Sequence, residues 1–337
     1  MTTKEKVLDY LKRGGAAYIS GKQIAQEIFV SRAAVWKAVK SLQNDGYNIE
    51  AVTNKGYRLI EKIDLPDHER ILETIAQMRK EKGQSEDLKI PEIRIFDEVG
   101  STNDLAKEMY EEEPDRELIL IAGSQTKGKG RRGRRFHSPE KTGLYISFLL
   151  HPDLDFAKAV LLTCMMGEAA CRAIEQVTGV KAGIKWVNDI FCGGKKVSGI
   201  LAEGSSSIEE GRFSYVVIGI GINLFLPYNG FPEEIKDVAG SILNTPFDHE
   251  LRDRLYAGLI LNFFDLYRKK NDLSFVEDYR KRSILIGNYV KIHPYANAKE
   301  DTYAKVLDID DECRLIVQYE DGKTEALSSG EVSVVKY

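Results

Sequence analysis

The spacing of hydrophobic and polar residues divides this 337-residue chain into three parts. Residues 1–62 repeat apolar side chains at helical spacing in three short segments and then alternate them as in a hairpin. Residues 90–283 mix apolar, strand-like runs with long helical patterns, whereas residues 284–337 alternate apolar and polar positions in five short runs. Between the first two parts, 63–89 is a polar and charged linker with a flexible end at 83–87. The chain therefore predicts an α+β protein with several domains.

The first part has the pattern of a winged helix-turn-helix. A short turn joins its second and third helical segments, and Ser31 is a natural N-cap for the third, Arg32 to Asn44. Residues 1–62 carry eleven Lys and Arg against six Asp and Glu, a net charge of +5. This charge predicts DNA binding, and the alternative is a helical protein-interaction domain with solvated charges. The candidate DNA contacts on the third helix and the wing are Arg32, Trp36, Lys37, Lys40, Lys55 and Arg58.

A glycine-rich basic loop is the most unusual feature of the central part. Residues 126–135 hold six cations and three glycines. A P-loop would need a hydroxyl where Gly130 follows Lys129, and a dinucleotide fold would need a helix where a strand-like run begins at Gly143. Because the cations repel one another and glycine frees the backbone, we expect the loop to order around an anion. The alternative is a solvated basic loop or a nucleic-acid patch.

Polar residues follow several apolar runs of the central part. Ser101 and Asp104 fit a capping box at the start of a helix, where free N–H groups could also face a polar ligand. Close succession of strands with interspersed helices, one of them from Asp155 to Gln176, predicts a mixed β-sheet with helices packed on one side. The residues alone predict a pocket for an anionic ligand, with three charge partners, Lys185, Lys196 and Arg131.

Composition narrows the class of protein. The chain is 43% hydrophobic and 30% charged, its first residues are charged, and no apolar run approaches the length of a membrane span, so we expect a cytoplasmic protein with no membrane partner. Its four cysteines form no C-x-x-C pair and its five histidines no H-E-x-x-H motif, which indicates neither a disulfide framework nor a structural zinc site. The alternating runs after residue 284 predict a small β-barrel.

Three motifs follow the helix-turn-helix. They are, in order, the loop from Gly128 to Phe136 (GKGRRGRRF), the segment from Lys185 to Asp189 (KWVND) and the segment from Gly330 to Ser333 (GEVS). In this order they resemble the motifs of one family, the bifunctional biotin-protein ligases that also act as repressors of biotin genes. The resemblance covers essentially the whole chain. It implies a winged helix-turn-helix, a class II synthetase-like ligase domain at 90–283 and an SH3-like small β-barrel at 284–337.

The resemblance also implies a two-step reaction. Biotin and ATP, with Mg²⁺, form biotinyl-5'-AMP and pyrophosphate, and a lysine of a biotin carboxyl carrier protein, from acetyl-CoA carboxylase or a related carboxylase, then takes the biotinyl group. The adenylate is also expected to act as corepressor, by promoting a homodimer that binds operator DNA.

The implied site residues fall into three groups, with no protein ligand assigned to the metal. The candidate catalytic residues are Arg131, Lys196, Lys185 and Asp189, of which Asp189 is a candidate proton acceptor. The candidate biotin contacts are Ser101, Thr102, Asn103, Gln125, Lys129, Gly130, Arg131, Lys196 and Gly199. The candidate ATP and adenylate contacts are Arg131, Arg134, Phe136, Asn188 and Asn223.

This sequence departs from the family motifs at three positions. Lys129 replaces an arginine, Phe136 replaces a tryptophan but keeps an aromatic face for adenine, and Val187 replaces a proline. Two other functions remain alternatives at this point. One is a regulator that binds biotin without chemistry, and the other is a ligase for lipoate or a related acyl group.

Overall fold

A computed structural model of the chain describes residues 2–14, 17–44, 49–53, 55–59, 65–82, 88–152, 159–207, 212–269, 272–293, 302–328 and 331–334. Three predicted features lie outside these residues. They are the flexible end of the linker at 83–87, the start of the long helix at Asp155, and Gly330 of the C-terminal motif. The chain forms two compact units, Met1–Asp64 and Leu65–Tyr337.

The N-terminal unit is the predicted helix-turn-helix with a two-stranded wing. Its elements are α1 (Thr3–Arg13), α2 (Gly21–Glu27), α3 (Arg32–Asn44), β1 (Ile49–Val52) and β2 (Gly56–Leu59). Ser31 caps α3, since its hydroxyl accepts a hydrogen bond of 3.1 Å from the backbone N–H of Ala34. The apolar face of α3 packs against α1 and α2 through buried side chains, which are Val35, Ala38, Val39 and Leu42.

The second unit is built on a seven-stranded mixed sheet. Its elements are α4 (His68–Lys82), β3 (Glu92–Val99), α5 (Thr102–Glu112), β4 (Leu118–Gln125), β5 (Gly143–Leu150), α6 (Ala159–Thr178), β6 (Gly183–Lys185), β7 (Asp189–Cys192), β8 (Lys195–Ser207), β9 (Arg212–Asn223), α7 (His249–Arg268) and α8 (Phe275–Lys281). The strand order is β3-β4-β5-β9-β8-β7-β6, and only the β3–β4 pair is parallel. Among the described helices, none is long and apolar enough to cross a membrane.

Helices cover both faces of this sheet, which corrects the prediction that they pack on one side. Helices α4, α6, α7 and α8 share one large core with one face, to which β4 contributes Ile119 and Ile121. Helix α5 packs on the opposite face against Leu118 and Leu120 of the same strand. Successive side chains of a strand point to opposite faces, so a strand that is apolar at every position needs cover on both. The continuous apolar runs of β4 and β5 had carried this signal.

Helix α4, within the predicted linker, belongs to the core of the second unit. Ile71, Ile75 and Met78 are buried in the core that α7 shares. The chain before α4 is also fixed, because the guanidinium groups of Arg70 and Arg252 both donate hydrogen bonds to the carbonyl oxygen of Leu65, at 2.9 and 2.8 Å.

The C-terminal strands form an antiparallel sheet. They are β10 (Tyr289–His293), β11 (Thr302–Ile309), β12 (Leu315–Tyr319), β13 (Thr324–Leu327) and β14 (Glu331–Val334), in the order β13-β12-β11-β10-β14. A closed SH3-like barrel is not confirmed, because no ladder joins β13 to β14 in the part of the chain that the structure describes.

Candidate active site

A cavity of about 400 Å³ lies on the sheet face that carries α5. Its lining includes every residue predicted for the ligand site, namely Ser101, Thr102, Asn103, Gln125, Lys129, Gly130, Arg131, Arg134, Phe136, Lys185, Asn188, Asp189, Lys196, Gly199 and Asn223. Residues that are up to 122 positions apart in sequence therefore meet at one place. Their individual roles stay predictions.

The start of α5 forms a buried polar end of the cavity. Ser101 is the N-cap residue of α5, but its hydroxyl makes no capping hydrogen bond, and Asp104 pairs with Lys129 of the basic loop instead. The predicted capping box is therefore wrong, because both side chains are directed to the cavity or its loop rather than to the helix backbone. The hydrogen bond from Lys129 to the Asp104 carboxylate also raises the pKa of the lysine.

Hydroxyl and amide groups hold one another in place behind this polar end. The side-chain oxygen of Gln125 accepts hydrogen bonds from the backbone N–H of Thr102 at 2.8 Å and from its hydroxyl at 3.1 Å. The hydroxyl of Ser147 on β5 is fully buried and lies 2.7 Å from both Thr102 Oγ1 and Asn103 Oδ1. With one proton, Ser147 donates to one of these two oxygens at a time.

A carboxylate fixes the orientation of the Asn103 amide. Asn103 Nδ2 donates to Glu203 Oε2 at 2.8 Å and to the carbonyl oxygen of Leu201 at 3.3 Å, so its oxygen must face Ser147. Glu203 is held by a hydrogen bond of 2.6 Å from Lys107. Sequence reasoning missed Glu203 and Ser147, because a polar residue inside an apolar strand run carries no motif.

Two glycines of β9 form a flat floor beneath the ligand-lining side chains. A Cβ atom added at Gly219 would collide with Asn103 Oδ1, and one added at Gly221 would collide with the ring of Phe136. The backbone of β9 is therefore bare where Asn103 and Phe136 lie on it. The alternation Gly219-Ile-Gly221 was the signal in the sequence, since glycines at every second position leave one face of a strand open.

The basic loop folds back on itself beside the cavity. The backbone N–H of Gly130 donates to the carbonyl of Arg134 at 2.8 Å, and that of Phe136 donates to the carbonyl of Gly128 at 2.9 Å. Between these bonds, Arg131–Gly133 form one 3₁₀ turn. Arg132 at its tip has a φ of 57°, a region that glycine normally occupies. The loop thus holds its own hairpin-like shape and brings Arg131 to the cavity.

The turn between β6 and β7, together with the first residue of β7, supplies a partner for each of two central cations. Arg131 Nη1 donates to Asn188 Oδ1 at 2.9 Å, and Lys196 Nζ pairs with Asp189 Oδ1 at 2.5 Å. Asp189 Oδ1 therefore orients Lys196, and a carboxylate has a second oxygen with which to accept a proton. Lys185 lines the cavity at the end of β6.

The same turn is braced by two more distant elements. The indole N–H of Trp186 donates to the carbonyl oxygen of Cys313 at 2.8 Å, and the hydroxyl of Tyr279 on α8 donates to the carbonyl oxygen of Val187 at 3.2 Å. Cys313 lies between β11 and β12, so the C-terminal sheet contacts the turn that carries Asn188 and Asp189. These braces keep the turn in register with the cavity.

Positive charge dominates the cavity wall. Seven lining residues are Lys or Arg, and only two, Asp189 and Glu234, carry a carboxylate. Burial lowers the pKa of His137, which favours the neutral imidazole on the same wall. Such a wall fits an anionic ligand. Among the described residues, no group of three or more His, Cys, Asp or Glu could hold a metal ion.

The segment after β9 forms the remaining wall. Asn223, buried at the end of β9, donates from Nδ2 to the carbonyl oxygen of Gly240 at 3.1 Å. The backbone N–H of Lys196 donates to the carbonyl oxygen of Val238 at 2.9 Å. Several lining residues from this segment and from neighbouring strands, loops and turns were not predicted from the sequence. They include His137, Trp186, Leu201, Gly219, Gly221, Glu234, Ile235, Val238, Ala239 and Val332.

The six candidate DNA contacts all lie in the N-terminal unit. Arg32, Lys37 and Lys40 are exposed on α3, as is Trp36, which keeps 53% of its surface exposed. Lys55 is exposed in the turn of the wing, but Arg58 pairs with Glu50 at 2.6 Å and its guanidinium stacks on the ring of Tyr18. The register of β1 and β2 places Glu50 opposite Arg58, so the charge of this arginine is already compensated.

Three family models match successive parts of the chain. The model described as "HTH domain" matches residues 3–58, "Biotin/lipoate A/B protein ligase family" matches residues 95–223, and "Biotin protein ligase C terminal domain" matches residues 298–335. Their order is that of the helix-turn-helix, the cavity and the C-terminal sheet.

Named relatives match most of the chain. "Bifunctional ligase/repressor BirA" of Bacillus subtilis (strain 168) is 32% identical over 325 residues, which are 95% of each chain. The protein of the same name from Escherichia coli (strain K12) is 30% identical over 66% of this chain and 64% of its own length. The solved structure "Biotin protein ligase from Aquifex aeolicus in complex with biotin and ATP" is 28% identical, with a TM-score of 0.59, and covers 73% of this chain and 99% of that one. Together with the geometry of the cavity, these matches show that the chain belongs to the family of bifunctional biotin-protein ligases and repressors.

Proposed function

We propose that the cavity on the α5 face joins biotin to AMP from ATP, and that it then passes the biotinyl group to a lysine of a biotin carboxyl carrier protein. The observation that carries this proposal is that a buried polar recess and a cationic wall meet in one cavity of about 400 Å³. The recess is the polar end of the cavity, formed by Ser101, Thr102, Asn103 and Gln125. The recess suits the uncharged ureido ring of biotin, which needs both donors and acceptors. The wall suits the biotin carboxylate and the phosphates.

In the first step, a biotin carboxylate oxygen attacks the α-phosphorus of ATP, the bond between the α-phosphorus and the bridging oxygen breaks, and pyrophosphate leaves. Two anions must approach closely, so nearby cations lower the barrier by offsetting their repulsion. We assign this role to Arg131 and Lys196, which Asn188 and Asp189 hold in position. Lys185 adds charge at the same wall, and Mg²⁺ enters with the ATP phosphates.

The remaining residues divide between the two substrates. Ser101, Thr102, Asn103 and Gln125 contact the biotin rings, while the loop at Lys129 and Gly130 and the bare strand at Gly199 border the chain that leads to the carboxylate. On the nucleotide side, Phe136 offers an aromatic face to adenine. Arg134, Asn188 and Asn223 complete that side.

In the second step, the ε-amine of the carrier lysine attacks the carbonyl carbon of the mixed anhydride. It loses a proton, and AMP leaves with the anhydride oxygen. Asp189 accepts that proton on Oδ2, while Oδ1 pairs with Lys196. We also propose that the C-terminal sheet closes into an SH3-like barrel and that the protein works in the cytoplasm, where ATP and the carrier are available.

The assay that tests this function is incubation of the chain with biotin, ATP, Mg²⁺ and a carrier domain, followed by detection of biotin on the carrier. Lys196→Ala should slow pyrophosphate release by about 10²–10³-fold, because one cation is lost from the point where two anions meet. Lys181→Ala, an exposed lysine outside the cavity, serves as the control. Normal pyrophosphate release by Lys196→Ala would show that Lys196 takes no part in the chemistry. If the unaltered chain releases no pyrophosphate, the result would favour a regulator that binds biotin without catalysis. The same assay with lipoate in place of biotin tests the alternative that the chain is a ligase for lipoate.

Arg131→Gly should release the adenylate before transfer, because the loop loses its contact with Asn188 and a cation beside the anhydride phosphate. The measurement is labelling of a bystander protein that lacks a carrier domain, which should rise about tenfold or more. Lys127→Gly changes an exposed cation of the same loop that is outside the cavity lining and should retain the intermediate. Equal retention of the adenylate by both variants would contradict the proposal that Arg131 holds this intermediate.

Glu203→Gln should weaken biotin binding selectively. Glutamine has one acceptor oxygen where the carboxylate offers two, so Asn103 Nδ2 and Lys107 Nζ compete for it. The Asn103 amide is then held less firmly, and the KM for biotin should rise about tenfold. The kcat and the KM for ATP should stay unchanged, since the side-chain partners of Glu203, Asn103 and Lys107, are outside the set of residues assigned to ATP. Glu108→Gln changes an exposed carboxylate on α5 and is the matched control. A fall in kcat, or an equal change in both KM values, would argue against a role limited to the recess.

We further propose that the N-terminal unit binds operator DNA and that biotinyl-5'-AMP tightens this binding by promoting a homodimer over two half-sites. Sedimentation with and without biotin and ATP should show a larger dimer fraction when the adenylate forms. Lys37→Ala should leave that shift intact while weakening DNA binding, because Lys37 lies on the outer face of α3. The same monomer fraction under both conditions would refute the coupling.

A further inference from the structure

Phe29 has a conformation and an exposure that folding alone does not explain. It lies in the turn between α2 and α3 with a φ of 57°, and 93% of its surface is exposed. An aromatic residue in the left-handed region is strained, and glycine adopts that region without a penalty. The turn is closed by backbone hydrogen bonds, from Phe29 N to Gln26 O at 3.4 Å and from Val30 N to Ala25 O at 3.0 Å. The turn itself therefore makes no use of the ring.

The ring is also outside the hydrophobic core of its unit. That core includes Ala25, with Ile28 and Val30 packed against it, on either side of Phe29 in sequence. Burial of apolar surface is the usual reason for an aromatic residue, and here that reason does not apply.

Cations and polar groups surround the ring on one side of the helix-turn-helix. A shallow depression is lined by Lys22, Ala25, Gln26, Phe29, Val30, Ser31 and Arg32. Lys22 comes from the first turn of α2 and Arg32 from the first residue of α3, so two cations from different helices border one aromatic ring. An occupant of this depression should offer anionic groups and an apolar surface close together.

We infer that this depression holds the sugar-phosphate strand beside the groove that α3 enters, with Phe29 against a deoxyribose or a thymine methyl group. Lys22 and Arg32 would then face neighbouring phosphates. The depression continues directly onto the N-terminal turn of α3, the part of a recognition helix that meets base edges. This inference rests on the proposed DNA binding and adds Lys22, Gln26 and Phe29 to the contacts on α3 and the wing.

The decisive variant is Phe29→Gly, because glycine relieves the left-handed strain while it removes the ring. The full-length chain, with biotin and ATP, is titrated with duplex DNA selected from a library with a random core of about 40 base pairs. Affinity should fall about tenfold, the loss expected for one good groove contact, and the unfolding midpoint of the chain should not fall. Biotin transfer to the carrier should be unchanged, since Phe29 lies outside the ligase unit.

Salt dependence separates the ring from the charges around it. Phe29→Gly should leave the slope of log affinity against log salt unchanged, because no phosphate contact is lost. Lys22→Ala should make this negative slope shallower by about one. Phe29→Leu, which keeps an apolar side chain, should recover part of the affinity.

Each other outcome overturns the inference. Unchanged DNA affinity in Phe29→Gly would remove the ring from the interface, and a smaller dimer fraction with unchanged affinity would assign it to a contact with a second copy. Loss of affinity together with a lower unfolding midpoint would give Phe29 a structural role. If the unaltered chain selects no DNA, the proposed DNA binding fails as well, which distinguishes that failure from the failure of the ring contact alone.

Discussion

The repulsion between two anions is the constraint around which the ligase unit is arranged. A carboxylate and a triphosphate come together only where cations offset their charge, and cations gathered for this purpose repel one another in turn. The two cations that we assign to this role have partners at one short turn and the residue after it: Asn188 accepts from Arg131, and Asp189 pairs with Lys196. Because Arg131 comes from a loop and Lys196 from a strand, the turn between β6 and β7 sets their mutual position.

That turn depends in its own right on contacts with the rest of the second unit. The indole of Trp186 reaches the carbonyl of Cys313, and Tyr279 of α8 reaches the carbonyl of Val187. The C-terminal sheet thus supports the cationic wall through the backbone of one turn, and it adds Val332 to the cavity lining. In the recess, Ser147 and Glu203 play the corresponding part for Thr102 and Asn103.

About half of the residues that line the cavity could be predicted from the sequence, because many of them sit in motifs with unusual composition. The basic loop and the segment from Lys185 to Asp189 have no equivalent in an ordinary core, and they do line one cavity. Residues that act through others could not be predicted in the same way. Ser147 and Glu203 sit within strand runs where local sequence does not reveal what lies across the sheet. The single-sided helix packing was wrong for a related reason, since α5 covers a face that only the full burial of β4 and β5 revealed.

The bare floor of β9 limits how this binding site can be altered by mutation. A Cβ atom at Gly219 or Gly221 would collide with Asn103 or Phe136, so a substitution there must displace one of these two side chains. Attempts to make the enzyme accept a larger biotin analogue should therefore change the walls and leave the floor intact. Candidate positions are Leu201 and Ile235, whose apolar side chains line the cavity without being part of its hydrogen-bond network. The strand backbone thus sets a fixed depth for the site, while its width stays open to redesign.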